Sequence, residues 1–332
     1  MSLNWTPIQW TWAMGPDGQL IPMSGSTWNP ILGCKETSPG CANCYSARLI
    51  GVRFSRNPSL PMYHDIATTG ANGHPHFTGV RRMMPSRLDE PLRARKGRKI
   101  FVNDMGDLFY EGHPFEDIAA VFGVMASARQ HTFQVLTKRP ERVAEFFAWI
   151  QAKLDACAAR GVPRAMLAEA GVCHEAAMDA GVSETRMGPT CPPWPLPNVW
   201  IGTSVENRAT LHRVDTLRTI PAAVRFLSVE PLLENLGAVD LTGIHLVIVG
   251  GESGKKARPF DLAWARSLMG QCRMAKVAFF MKQAGAKPVE SIYKSGSFIH
   301  TANVSLDDPH GGDLSELPFD LRVREFPTTV RQ

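Results

Sequence analysis

The run KIFVNDMGDLF, residues 99–109, decides the fold. Ile100, Phe101 and Val102 leave no polar face, and the run stops at Asn103-Asp104. A short strand of that kind is buried on both sides, as strands of parallel sheets are. Five further runs have the same form: HTFQVLTKRP (131–140), NVWIGTSVEN (198–207), VRFLSVEPLL (224–233), HLVIVGGESG (245–254) and KVAFFMKQAG (276–285). Helical spacing of apolar residues appears at 115–129, 140–150, 208–218 and 260–273. Pro140 followed by Glu141 is a favoured helix start. Strand and helix in alternation predict a parallel α/β fold, closed part-way into a (β/α) barrel of about six to seven units.

Polar residues follow each strand: Asn103, Asp104 and Asp107; Thr137, Lys138 and Arg139; Ser204, Glu206 and Asn207; Ser228 and Glu230; Glu252 and Ser253; Lys282 and Gln283. Strand C-termini of parallel α/β folds share one rim, where active sites gather. The barrel is expected over 26–290, after a Trp-rich lead-in at 1–25 and before a polar tail at 291–332 that packs on it. Residues 151–198 interrupt the rhythm and read as an inserted helical hairpin or lid. Their Cys157, Cys173, His174 and Cys191 match no metal-site spacing and read as structural.

The chain has 332 residues, enough for one large domain or two modest ones. Nothing in it resembles a membrane span or a secretory leader, so a soluble, cytoplasmic protein without a membrane partner is expected. The net charge of +5 permits a nucleic-acid partner without demanding one. Basic residues concentrate at 81–99, RRMMPSRLDEPLRARKGRK, which reads as a solvated face or a phosphate contact. Trp5, Trp10 and Trp12 read as packing anchors.

Ahead of the repeats lies WNPILGCKETSPGCANCYSARL, residues 28–49. It sets Cys34, Cys41 and Cys44 at gaps of six and two residues. Clustered thiols in a reducing compartment bind metal or do redox chemistry more often than they pair. Three readings fit. A zinc site would recruit His64, His74 or His76; the thiols would be structural; or they would hold a 4Fe–4S cluster whose fourth iron stays open to S-adenosylmethionine. The local sequence favours the last, since Pro39-Gly40 can turn the loop back and a helix begins at Tyr45. Helix-start N–H groups would favour thiolate charge.

GCKETSPGCANCYSARL resembles the cluster loop of radical S-adenosylmethionine enzymes, and CANCYS is similar to the ending found in the spore-photoproduct-lyase-like branch. The usual first gap is three residues rather than six, and Asn43 stands where an aromatic residue is usual. WNP, SPGC-x-NCY, FVNDMGDLF, LTKRPER, WIGTSVEN, RFLSVEPLL, VIVGGESG and MKQAG together resemble three-cysteine phage and prophage proteins of unknown function. The resemblance covers about residues 26–285 apart from the insertion. It implies a partial barrel of the radical-enzyme type, Cys34, Cys41 and Cys44 as ligands of the 4Fe–4S cluster, S-adenosylmethionine as cofactor, and an electron donor of the flavodoxin or ferredoxin type.

On that reading Asp104, Asp107, Glu206, Gly250, Gly251, Glu252 and Ser253 are expected to contact the cofactor. Glu230 and Lys138 are the expected catalytic groups, for proton transfer or substrate contact. The substrate expected is a nucleic acid or nucleotide. Two other classes stay open. Asp104, Asp107, Glu206, Glu230 and Glu252 suit a divalent-metal hydrolase or nuclease with a zinc knuckle at the cysteines. A non-catalytic barrel could instead bind nucleic acid through residues 81–99.

Overall fold

The computed structural model describes residues 3–71, 73–163, 166–188, 192–294 and 297–328. Cys191, one of the insertion's cysteines, lies outside them. The chain is a mixed α/β protein that divides into two units, each built from several chain segments.

The first unit holds Met1–Glu36, Cys44–Gly202 and Thr219–Ala223. Its strands are β1 (Asn4–Trp5), β2 (Ser26–Trp28), β3 (Lys99–Val102), β4 (Thr132–Thr137) and the first four residues of β5 (Val199–Ser204). They lie in that order. β1 pairs antiparallel with β2, while β2–β3 and β3–β4 are parallel, with Trp28 beside Val102 and Val102 beside Val135. Helices α1 (Tyr45–Leu49), α2 (Phe115–Ser127) and α3 (Pro140–Ala159) follow β2, β3 and β4. The repeat predicted from the apolar runs is therefore present, because strands without a polar face need helices on both sides.

The lead-in is more ordered than its composition suggests. Trp10 is buried and tilts against Phe101 at 4.7 Å between ring centroids. Trp12 Nε1 donates to the Thr6 carbonyl, and Trp5 lies under the Arg98 guanidinium. Trp10 is a packing anchor, whereas Trp5 is exposed and Trp12 half-buried.

Within residues 151–198, α3 continues to Ala159, nine residues past the predicted end, and α4 (Glu169–Asp179) packs on α2. The approach is close: a Cβ on Gly123 would fall 2.1 Å from the Cys173 carbonyl oxygen. Cys173 is buried, and burial pushes its thiol pKa well up, as fits a packing residue.

The second unit holds Thr37–Asn43, Thr203–Arg218 and Val224–Gln332. Its strands β6 (Val224–Val229), β7 (Leu246–Gly250) and β8 (Ala278–Gln283) are parallel and lie in that order. Helix α5 (His212–Thr219) has nearly all its residues here, and α6 (Leu262–Ala275) joins β7 to β8. The β6–β7 connection carries no helix. Asn235 and Asp240 accept from backbone N–H groups two residues on, and Gly237 and Gly243 have φ of 73° and 71°, so the chain turns instead of winding. After β8 the chain forms a hairpin, Pro288–Lys294 with Ser297–Asn303. Residues 323–325 then run along β8, with Met281 N–H donating to Val323 O and Glu325 N–H to Phe279 O. Among the described residues, in neither unit does the strand order close on itself.

Candidate functional site

In the first unit the candidate residues gather at the ends of β2, β3 and β4. Asn29, of the WNP motif, donates to Asp104 Oδ1 at 2.5 Å and accepts from Met105 N–H at 2.9 Å. The Asp104 carbonyl accepts from Tyr45 Oη (3.0 Å) and Ser46 Oγ (2.5 Å). Two side chains next to Cys44 thus seat the start of α1 on the end of β3. Burial raises the Asp104 carboxyl to about 6, against the lowering effect of hydrogen bonds from Asn29 and Thr27.

Asp107 is saturated. Its Oδ1 accepts from Phe109 N–H (2.9 Å) and Thr137 Oγ1 (2.7 Å); its Oδ2 accepts from Lys138 N–H and Arg139 Nη1, both at 3.1 Å. Arg139 also reaches Glu111 Oε1 (2.6 Å) and the Lys35 carbonyl (2.8 Å), and its Nη1 lies 3.9 Å from Cys34 Sγ. Burial alone would lower the Arg139 pKa, but Asp107, then Cys34 and Glu111, raise it above the ordinary value. A permanently charged guanidinium therefore stands beside the Cys34 sulfur. Cys34 and Cys44 both pack against one apolar cluster that includes Leu32, Ile50, Ile66 and Met105. Lys138 is half-buried and joins Asp107 through its backbone.

Helix α1 has only five residues and passes into a π-helical turn, Ile50–Phe54. The electrostatic help expected from a helix start at Cys44 is accordingly small, because too few peptide dipoles align. Of the histidines considered as zinc ligands, His74 Nε2 contacts Glu36 Oε1 at 2.9 Å, His76 Nδ1 contacts the His74 carbonyl, and His64 Nε2 contacts the Asn57 carbonyl.

In the second unit Cys41 closes a 3-10 turn, Pro39–Cys41. Ser38 Oγ donates to Glu206 Oε1 at 2.9 Å and lies 3.9 Å from Cys41 Sγ. Its one hydrogen goes to the carboxylate, so the thiol is the donor to Ser38. Glu206 is fully buried, and its Oε2 accepts from Arg213 Nη1 at 3.1 Å. Asn43 Nδ2 donates to Glu252 Oε2 (3.0 Å) and to the Lys256 carbonyl (3.1 Å). Glu252 also accepts from the Arg258 backbone N–H (2.9 Å) and from its guanidinium at both oxygens. Burial would raise the Glu252 carboxyl, but the hydrogen bonds from Arg258 and Asn43 hold it below the ordinary value. Glu206 and Glu252, expected to contact a cofactor, have protein partners on both oxygens.

Glu230 pairs with Lys282 Nζ. Gly250 ends β7 beside Glu230 and Gln283, Gly251 N–H donates to Gln283 O, and Ser253 is exposed.

Sequence reasoning missed Ser38, Asn29, Asn43, Arg213 and Arg258 as partners. Ser38, Asn29 and Asn43 stand in the quoted motifs and Arg213 and Arg258 a few residues after two of them, but nothing local says which acid each meets. Within residues 81–99, Arg81 pairs with Asp117, Arg87 with Glu90 and Arg93 with Asp89, while Arg82 donates to the carbonyls of Pro61, Met62 and His64. Much of that charge is spent inside the unit.

Cys34, Cys41 and Cys44 are in no disulfide, so the donor set suits a thiolate-held metal by its chemistry. Among the described residues, however, no group of three or more His, Cys, Asp or Glu is arranged to hold a metal ion. No helix among the described residues is long and apolar enough to cross a membrane.

Residues 19–307 match the family described as "Protein of unknown function (DUF5131)". The chain belongs to the DUF5131 family. No curated protein and no solved structure matches it. The DUF5131 match spans every motif quoted above, from WNP to MKQAG, together with the insertion.

Proposed function

We propose that this chain is an enzyme of the radical S-adenosylmethionine type, built on a partial barrel, with Cys34, Cys41 and Cys44 as ligands of a 4Fe–4S cluster. The observation that carries the proposal is the environment of the motif. Three cysteines outside any disulfide stand at gaps of six and two, Cys34 and Cys44 lie against one apolar wall, and the Arg139 guanidinium is beside Cys34. An adjacent cation favours the thiolate, the form that binds iron. When bound, such a cluster supplies one-electron cleavage of S-adenosylmethionine, with electrons from a flavodoxin- or ferredoxin-type donor.

The chain's own residues would bind and orient. Gly250, Gly251 and Ser253 keep their proposed place as cofactor contacts. For Glu206 and Glu252 the supported role is structural, since their oxygens already have donors. Glu230, paired with Lys282 from the ends of β6 and β8, which flank β7, is the better supported proton-transfer couple, ahead of Lys138. A nucleotide or nucleic acid remains the proposed substrate. The hydrolase reading gains no support, because Asp104, Asp107, Glu206, Glu230 and Glu252 are each engaged by protein donors.

The test is iron, acid-labile sulfide and zinc per chain after oxygen-free purification and reconstitution. About four irons and four sulfides, lost in Cys34→Ala, Cys41→Ala and Cys44→Ala, is the expected result. One tightly held zinc, with no iron after reconstitution, would overturn the proposal.

A further inference from the structure

The six-residue gap between Cys34 and Cys41 contains the tripeptide Ser38-Pro39-Gly40, and Asn43 follows Cys41 by two residues. Each of these polar or small positions meets an acid of the second unit. Ser38 bonds Glu206, the Gly40 backbone lies against the Glu206 side chain, and Asn43 bonds Glu252. Both acids are buried and both are charge-balanced by an arginine, Arg213 and Arg258. A buried carboxylate paired in this way has a fixed position, and its remaining lone pairs favour a donor that comes to it.

We infer that Glu206 and Glu252 are positioning residues, a two-point latch that seats the Thr37–Asn43 segment and so fixes Cys41. The latch contacts flank the cysteine on both sides, at Ser38 three positions before it and at Asn43 two after it. The two acids come from the SVEN and GGES motifs, after different strands, so the loop is held from two directions. Without them the seven-residue stretch keeps one 3-10 turn and the Asn43 bond to the Lys256 carbonyl. The purpose of the latch rests on the reading of Cys41 as a ligand, but its existence does not.

The test uses the full chain without added iron and follows N-ethylmaleimide modification of each cysteine by peptide mass spectrometry. Cys272, buried in α6 with its thiol pushed up to about 12 by burial, reports on the fold of the same unit. Ser38→Ala and Asn43→Ala are expected to speed Cys41 modification about tenfold each, and about a hundredfold together, as loss of hydrogen bonds to charged acceptors allows. Cys272 should stay protected in all of them. Ser38→Thr, which keeps the hydroxyl, should restore the slow rate. Unchanged Cys41 modification in the double variant would overturn the inference. So would a parallel rise at Cys272, since the contacts would then support the unit and not the loop. Failure of the cluster proposal is read separately, from iron content, and leaves these rates untouched.

Discussion

Asp107 and Arg139 meet at 3.1 Å, and the same carboxylate oxygen accepts the Lys138 backbone N–H at 3.1 Å. The end of β3 is thereby tied to the end of β4 by an acid with four donors. Arg139→Ala would leave that carboxylate buried without its cation. A loss of about 3–5 kcal/mol in urea unfolding is expected. Arg139→Lys should recover little of it, because one ammonium cannot reach Asp107, Glu111 and the Lys35 carbonyl together.

Gly40 is held to glycine by its neighbour. A Cβ there would fall 2.5 Å from both Cγ and Oε1 of Glu206, a side chain fixed by Arg213. Gly40→Ala should cost about 1–3 kcal/mol through overpacking. The measurement is the urea midpoint of the variant against the parent chain, and an unchanged midpoint would show that the loop can move away.

Asp104 and His113 should make acid stability respond in opposite directions. Burial raises Asp104 to about 6 from about 3.8, so the folded state takes its proton first. That carboxyl adds stability as pH falls from about 6 towards 4, and costs roughly 2–3 kcal/mol when charged at pH 7. Asp104→Asn is therefore expected to be the more stable chain at pH 7, with the gap closing by pH 4. Burial lowers His113 to about 4 from about 6.5, against an opposing effect from Asp107. Its neutral ring supports the fold at pH 7 and loses that support as pH falls from about 6.5 to 4. His113→Leu should flatten that part of the melting-temperature profile. Unaltered profiles in both variants would refute the assignment.

In the basic run Arg81 and Arg93 are exposed but paired with Asp117 and Asp89, and Arg95 and Lys96 are exposed as well. Joint replacement of Arg95 and Lys96 by Ala should reduce the slope of log affinity for a single-stranded oligonucleotide against log salt by about 1.4. Replacing Arg87, which Glu90 holds, should leave the slope unchanged and lower stability instead.

Local information explains what was legible. All six apolar runs are strands, and Phe115–Ser127 and Leu262–Ala275 are helices, because an apolar run with a polar stop or a 3.6-residue pattern carries its own instruction. The Asn103 break was legible for the same reason; its φ of 58° is a conformation that asparagine tolerates. The acid partners were not legible. Ser38 and Glu206 are 168 residues apart, and Asn43 and Glu252 are 209 apart. Glu206 reads identically whether it faces a ligand or a serine, since the sequence shows the charge and not the donor. The short pairing of Asn4–Trp5 with β2 was hidden too, because two residues carry no periodicity.

The segment at 323–325 gives β8 more than a packing partner. Phe279, Phe280 and Met281 are buried there, and their outer backbone groups would otherwise form a long, apolar, unpaired margin. Such a margin is a template for a second chain. Residues 323–325 therefore occupy hydrogen-bonding groups of β8 through which one copy could otherwise recruit another.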